Sequence, residues 1–372
     1  MHKQYVGQNV YEATSGRLDF LFSEFDNIVI SFSGGKDSGL LLNLVLDYAE
    51  RVGIDMKKRI SVFHQDFEAQ YSYTTDFVTR TFERLRGKVG LYWVCLPMAT
   101  RTALGNYEAY WYPWDDTKEE LWIRPMPTGE YVINLQNNPI TTYTYKMTQE
   151  NLGKQFGKWY SETHEGKTAV LLGTRADESL ARYNAVINKK YGYKGQCYIT
   201  SGFRKCWTAS PIYDWSSSDV WAANYRFGYD YNKIYDLYYK AGVPVDKIRV
   251  ASPFNEYAVE SLNLYRVIEP ATWNRLLGRV FRLFQKLICT KVNPQRGADG
   301  IIIAFDKVAD HADVAATVDK GSITLIAARR PQQPKAVAFG AIDIRSTSNR
   351  ILGRFAFSCA IGAEILICFG NA

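Results

Sequence analysis

Residues 27–38 read Asn-Ile-Val-Ile-Ser-Phe-Ser-Gly-Gly-Lys-Asp-Ser, and an apolar helical pattern from Gly39 to Ala49 follows at once. A buried-type strand, a small-residue turn and a helix in direct succession aim several backbone N–H groups and a helix N-terminus at one point. Such a point suits a phosphate. Gly34 and Gly35 let the main chain approach the anion, Lys36 adds a point charge, and Ser33 and Ser38 offer hydroxyls. Asp37 is the odd member, repulsive to a phosphate unless it caps the helix or holds Mg²⁺. The Walker A loop is excluded, because its four-residue spacer between glycines is missing here.

Short apolar runs at 27–32, 59–64, 91–96 and 168–173 read as buried parallel strands. Helical patterns at 38–52 (Leu40, Leu41, Leu44, Val45, Tyr48) and 72–87 (Phe77, Val78, Phe82, Leu85) lie between them. This alternation predicts an α/β fold with a doubly wound parallel sheet. Ligands of such sheets sit beyond the C-terminal strand ends. The rule gathers 33–38, 64–68, 97–102 and 173–179 around one crevice, with His64 and Asp66 at the end of the second strand, where His64 reads as a ligand contact or as a structural histidine.

After the strand at 168–173 comes Gly173-Thr-Arg-Ala-Asp-Glu-Ser179. Gly173 permits close backbone approach, Arg175 can reach an anion bidentately, and Glu178 can orient that arginine or cap the next helix. Arg204 and Lys205 precede a Pro-Ile-Tyr-Asp-Trp element at 211–215, so Arg204, Lys205 and Asp214 are further candidates for substrate contact. Asp214 or the serines at 216–218 can instead cap a helix carrying Val220 and Trp221.

The chain is 372 residues long, 47% hydrophobic and 22% charged, ordinary for a globular protein. No leader-type apolar segment opens it and no run of eighteen uncharged apolar residues occurs, which predicts no membrane contact. The six cysteines (95, 197, 206, 289, 359, 368) form no Cys-x-x-Cys pair and fit free thiols in a reducing cytoplasm. A long insertion at about 98–167 is dense in aromatics, among them Tyr107, Trp111, Trp114, Trp122 and Trp159. It is expected to be a small packed subdomain, with base stacking as the alternative. Charge is uneven: residues 266–372 hold 15 Lys+Arg and 8 Asp+Glu, so the whole net +7 lies there, and no tyrosine follows Tyr265. These features divide the chain at about 280. Residues 281–372 are either a basic module that touches nucleic acid or a tail from a changed reading frame, never selected to fold.

The Ser-x-Gly-Gly-Lys-Asp-Ser string resembles the PP-loop of the ATP pyrophosphatase superfamily, which includes phosphoadenosine-phosphosulfate (PAPS) reductases. Gly-x-Arg-x-x-Glu-Ser at 173–179, Pro-Ile-x-Asp-Trp with Asp-Val-Trp at 211–221, and the tyrosine-rich 229–237 extend the resemblance over residues 1–280. The branch it looks like is the immunoglobulin-binding regulator A-like co-activators of phages and mobile elements. The resemblance implies an adenine-nucleotide α-hydrolase-like sheet binding ATP (or PAPS) with Mg²⁺. It puts 33–38 on phosphates, the 64–68 turn near ribose or base, and Arg175 on the substrate anion. Cleavage of ATP at the α–β bond, to adenylate an acceptor or release pyrophosphate, is the expected activity. A departure is the missing Glu-Cys-Gly-x-His element that carries the nucleophilic cysteine of true reductases. A nucleotide- or PAPS-sensing regulator with a protein partner, or a nucleic-acid modification factor, are the alternatives.

Overall fold

The structure, a computed structural model, describes residues 7–279 except 103–109, 188–191, 204, 246–247, 256–257 and 259–261, and seven strand segments beyond 279. The chain divides into two compact units, 1–279 and 280–372.

The first unit opens with α1 (Val10–Glu24), whose start is fixed by a reciprocal capping box between Asn9 and Glu12. β1 (Asn27–Ser31), α2 (Lys36–Val52), the one-turn α3 (Met56–Arg59), β2 (Ile60–Gln65), α4 (Ser72–Leu85) and β3 (Gly90–Val94) follow. A small antiparallel pair, β4 (Thr100–Arg101) with β5 (Tyr110–Trp111), precedes β6 (Val132–Ile133), α5 (Gln149–Thr163) and β7 (Thr168–Leu172). Then come α6 (Leu180–Ile187), the hairpin β8 (Ile199–Phe203) and β9 (Cys206–Ala209), α7 (Ser217–Phe227), α8 (Ile234–Lys240) and α9 (Leu262–Ile268).

Seven strands form one sheet in the order β6-β3-β2-β1-β7-β9-β8. All pairings are parallel except β8 with β9, which closes one edge as a hairpin. This is the doubly wound, mainly parallel α/β sheet that the strand–helix alternation predicts. Helices cover both faces, so β1 is apolar without alternation. Ile28 and Ile30 pack with Leu40, Leu44 and Val45 of α2, whereas Val29 faces Phe63, Phe156 and Trp159. α2 ends at Gly53 in the left-handed conformation (φ +73°), as a glycine C-cap does.

The insertion at 98–167 is woven into this sheet. β6 adds a parallel edge strand to β3, and α5 is the crossover helix that returns the chain to β7. Phe156 of α5 stacks on Phe63 at 4.1 Å, and Trp111 stacks on Phe254 at 3.9 Å. Trp111, Trp114 and Trp159 are buried, so these three rings fill the core, whereas Tyr110 and Tyr145 are exposed; Tyr107 lies outside the described residues.

In the second unit, the described strands β10 (Gln295–Gly297), β11 (Gly300–Phe305), β12 (Asp313–Asp319), β13 (Ser322–Ala328) and β14 (Ile342–Asp343) form an antiparallel sheet in that order. β15 (Ile351–Ala356) and β16 (Glu364–Phe369) pair as a separate antiparallel ribbon. Among the described residues no helix is long and apolar enough to cross a membrane.

Candidate functional site

β1 lies at the point where the winding of the sheet reverses, between β2 on one side and β7 on the other. The loops leaving β1 and β7 therefore meet at the C-terminal rim. They do so in backbone contact: a Cβ placed on Gly173 would lie 2.8 Å from the Ser38 nitrogen and 2.9 Å from the Asp37 carbonyl carbon. Only glycine allows this approach. Gly34 has φ +75°, and a Cβ there would come within 2.9 Å of Val78 Cγ2. The first turn is also tied internally. Ser33 and Ser38 hydroxyls lie 3.0 Å apart, Ser38 Oγ accepts from the Ser33 N–H, and Ser38 Oγ donates to the Gly35 carbonyl at 3.2 Å. α2 then begins at Lys36 with no side-chain cap, so its first-turn amides point to the rim without a carboxylate on them.

Charge is concentrated where the turns meet. Asp37 accepts from Lys36 Nζ at 2.9 Å on one oxygen and from Arg175 Nε at 2.7 Å on the other. Arg175 is 4% exposed, and its NH1 donates to the Trp215 carbonyl at 3.2 Å. Asp37 thus fixes both cations at the rim. Behind Arg175, Glu178 lies 3.9 Å from its Nε, 3.0 Å from Arg182 and 3.6 Å from Arg249. Arg182 and Arg249 are about half exposed. Four cations surround Asp37 and Glu178, with Asp177 at the exposed edge, which leaves the rim suited to an anion.

A third segment, 229–237, straps this corner, and sequence reasoning gave it no role. Asn232 is fully buried and its amide donates to the Gly34 carbonyl at 3.0 Å and to Thr74 Oγ1 at 2.8 Å. The Lys36 N–H donates to the Tyr235 hydroxyl at 2.9 Å. Asp230 receives Arg80 at 2.6 Å, and the Tyr229 hydroxyl donates to Asp47. In the sequence this stretch stands out only by its tyrosines with Asp and Asn and by its place in the family resemblance.

Other candidates are placed differently from expectation. Both Asp37 oxygens are engaged by cations, Asp37 does not cap α2, and no group of three metal-type side chains exists among the described residues. These residues do not fit a protein-held Mg²⁺. His64 is fully buried, with Nδ1 2.7 Å from the Phe32 carbonyl and Nε2 without a partner among the described residues. Burial holds its pKa below the ordinary value despite the nearby Asp66. Asp66 is also fully buried and receives Trp93 Nε1 at 2.6 Å, the Glu68 N–H at 2.7 Å and the Arg124 guanidinium. Burial alone would raise its pKa, but Arg124, His64 and Trp93 outweigh that and hold it low. Glu68 in turn receives the Trp114 and Ile123 N–H groups and Arg279. Asp66 therefore anchors the insertion through a buried ionic network and is not presented to a ribose.

Ser179 accepts from the Arg182 N–H at 3.2 Å and starts α6. Asp214 is taken bidentately by Arg17 of α1 at 2.7 and 2.6 Å, and Ser216 with Asp219 forms the capping box of α7. Lys205 precedes β9, and its carbonyl receives the Thr168 N–H at the start of β7. It stands at the N-terminal edge of the sheet, opposite the rim. Arg204 lies outside the described residues. Burial pushes the Cys95 thiol well up and the Cys206 thiol up to about 11, so neither is a thiolate at neutral pH.

Comparison with known proteins gives this corner a family. A model described as the phosphoadenosine phosphosulfate reductase domain matches residues 27–241, and one described as a domain of unknown function (DUF3440) matches 242–286. The uncharacterized protein YbdN of Escherichia coli strain K12 is 33% identical over 276 residues, which are 73% of this chain and 65% of that protein's length. Among solved structures, the FMN adenylyltransferase of Candida glabrata aligns over 61% of this chain and 57% of its own, at 13% identity and a TM-score of 0.35. The PAPS reductase of Candida auris, a phosphate complex, aligns over 60% and 84% at 13% identity and 0.32. The U34-tRNA thiolase NcsA of Methanococcus maripaludis aligns over 80% and 85% at 10% identity and 0.34. The family model spans more than half of the chain and covers β1, both rim turns and the 229–237 strap, so the chain belongs to the phosphoadenosine phosphosulfate reductase domain family.

Proposed function

We propose that the rim formed by 33–38 and 173–175 binds the phosphates of an adenine nucleotide, and that the protein cleaves ATP between its α and β phosphates. The backbone contact at Gly173 carries this reading, because it brings Arg175 and the start of α2 to one place. First-turn amides and Lys36 hold the outer phosphates. Arg175, fixed by Asp37 and the Trp215 carbonyl, is preorganised for charge that develops at the α-phosphate. Release of pyrophosphate or adenylation of an acceptor follows from cleavage at that bond. Incubation with α-labelled ATP tests this: steady formation of AMP or an adenylated product supports it, and binding of ATP without turnover removes the catalytic part.

A second reading is a non-catalytic nucleotide or PAPS sensor, acting with a protein partner as the resemblance to immunoglobulin-binding regulator-like co-activators suggests. The observation that favours it is the closed Lys36–Asp37–Arg175 ion pairing, together with two buried thiols that cannot serve as nucleophiles. Saturable binding of ATP or PAPS with no product distinguishes it from the first.

A further inference from the structure

The first amide of a helix that opens on a glycine turn is the donor such a turn presents to an anion. Here the Lys36 N–H already meets the Tyr235 hydroxyl, from a residue 199 positions further along the chain. Tyr235 is 4% exposed, its ring lies edge-on to Trp221 at 5.3 Å, and Lys36 Nζ sits 5.9 Å from the ring centre. A Cβ on Gly35 would be 3.5 Å from the hydroxyl oxygen. The phenol therefore stands at the mouth of the turn. Three residues earlier, Asn232 pins the strap to Gly34 and Thr74, so moving the phenol aside with its strap would break both bonds.

A hydroxyl that accepts one N–H still has its own hydrogen to give. Among the described residues no acceptor takes that of Tyr235. A buried donor without an acceptor is costly, and this one borders the place where the amides of α2 converge. We infer that Tyr235 is a phosphate-positioning residue: it extends the Lys36 amide outward by one hydroxyl and donates its hydrogen to an oxygen of the bound phosphate chain. This rests on the phosphate-binding reading of the 33–38 turn. Burial, with Asp37 nearby, pushes the phenol pKa up, so it remains a donor at neutral pH. The role favours ligands that offer an unprotonated phosphate oxygen and gives nothing to adenosine.

The test is calorimetric titration of the full chain and of Tyr235→Phe with pyrophosphate, ATP and adenosine. The substitution keeps the ring and removes only the hydroxyl. Affinity for pyrophosphate and ATP should fall about tenfold, the loss of one hydrogen bond to a charged group, with adenosine unaffected. If Tyr235→Phe binds pyrophosphate as well as the parent or more tightly, the phenol is a plug and this inference alone fails. If the parent binds no phosphate ligand, the reading of the turn fails with it. Should the phenylalanine variant not fold, 3-fluorotyrosine at 235 keeps the shape and strengthens the donor. Tighter pyrophosphate binding is then expected, and unchanged or weaker binding overturns the inference.

Discussion

Gly173→Ala probes the contact between the two rim turns with a single methyl group. The three atoms it would meet, Ser38 N at 2.8 Å, Asp37 C at 2.9 Å and Ser38 Cα at 3.0 Å, all belong to backbone and cannot rotate away. Gly173 does not occupy the left-handed region, so the effect is steric and carries no conformational penalty of its own. Overpacking of this kind costs about 1–3 kcal/mol, which for a domain of this size lowers the melting temperature by roughly 2–10 °C. The relief open to the chain is to part the turns, which stretches the 2.7 Å Arg175–Asp37 bond. ATP affinity should therefore fall along with stability. Gly16→Ala is the control: it sits inside α1 with nothing within 4 Å of an added Cβ. Replacing a helix-interior glycine by alanine gains about 1 kcal/mol, so the same chemical change should raise the melting temperature there and leave ATP affinity alone. Thermal denaturation and calorimetry read both. A Gly173→Ala protein that melts and binds like the parent would refute the contact.

Two more outcomes follow from the charges. Asp37→Asn leaves Lys36 and Arg175, whose side chains are 8% and 4% exposed, without their shared counter-ion. Loss of one partner in a buried pair costs about 3 kcal/mol; added pyrophosphate should then stabilise the variant more than the parent, and an equal shift in both would show that the cations do not face the ligand. His64 is held neutral by burial; because its folded pKa is depressed below 6.5, stability should decline as pH falls below that unfolded value and level off at the folded one. Asp66 adds a later loss, its contribution intact above the ordinary carboxylate value of 3.8 and vanishing as pH falls through its lower folded value. Urea midpoints from pH 8 to 5 should therefore slope less for His64→Gln than for the parent; identical slopes would mean that His64 is not buried neutral.

The sheet was legible because its evidence is local. Strands predicted at 27–32, 59–64, 91–96 and 168–173 are observed at 27–31, 60–65, 90–94 and 168–172. Their uniform apolarity reflects cover on both faces. The two glycine turns were legible for the same reason, since each is read from consecutive residues. What a strand end presents was not: His64 and Asp66 stand where a ligand rule places them, but their side chains point into the core, which depends on partners such as Arg124 and Trp93. Lys205 and Asp214 lie near a motif in the sequence, but Lys205 precedes its strand and Asp214 meets a helix 197 residues away. Tyr235 and Asn232 act across comparable separations, and no local pattern carries that information. Two-residue β6 offers too little periodicity to be seen, although its pairing shows that the insertion belongs to the sheet.

If the turns after β1 and β7 hold one phosphate chain together, as proposed, a double-mutant cycle on ATP affinity will couple them. Lys36→Met and Arg175→Lys keep most of the packing of each side chain while removing a charge or a fork. If both residues grip the same ligand, each single change weakens ATP binding and the double change departs from the sum by more than about 0.5 kcal/mol. Strict additivity, or an unchanged affinity in either single variant, would mean that the two turns do not share a ligand.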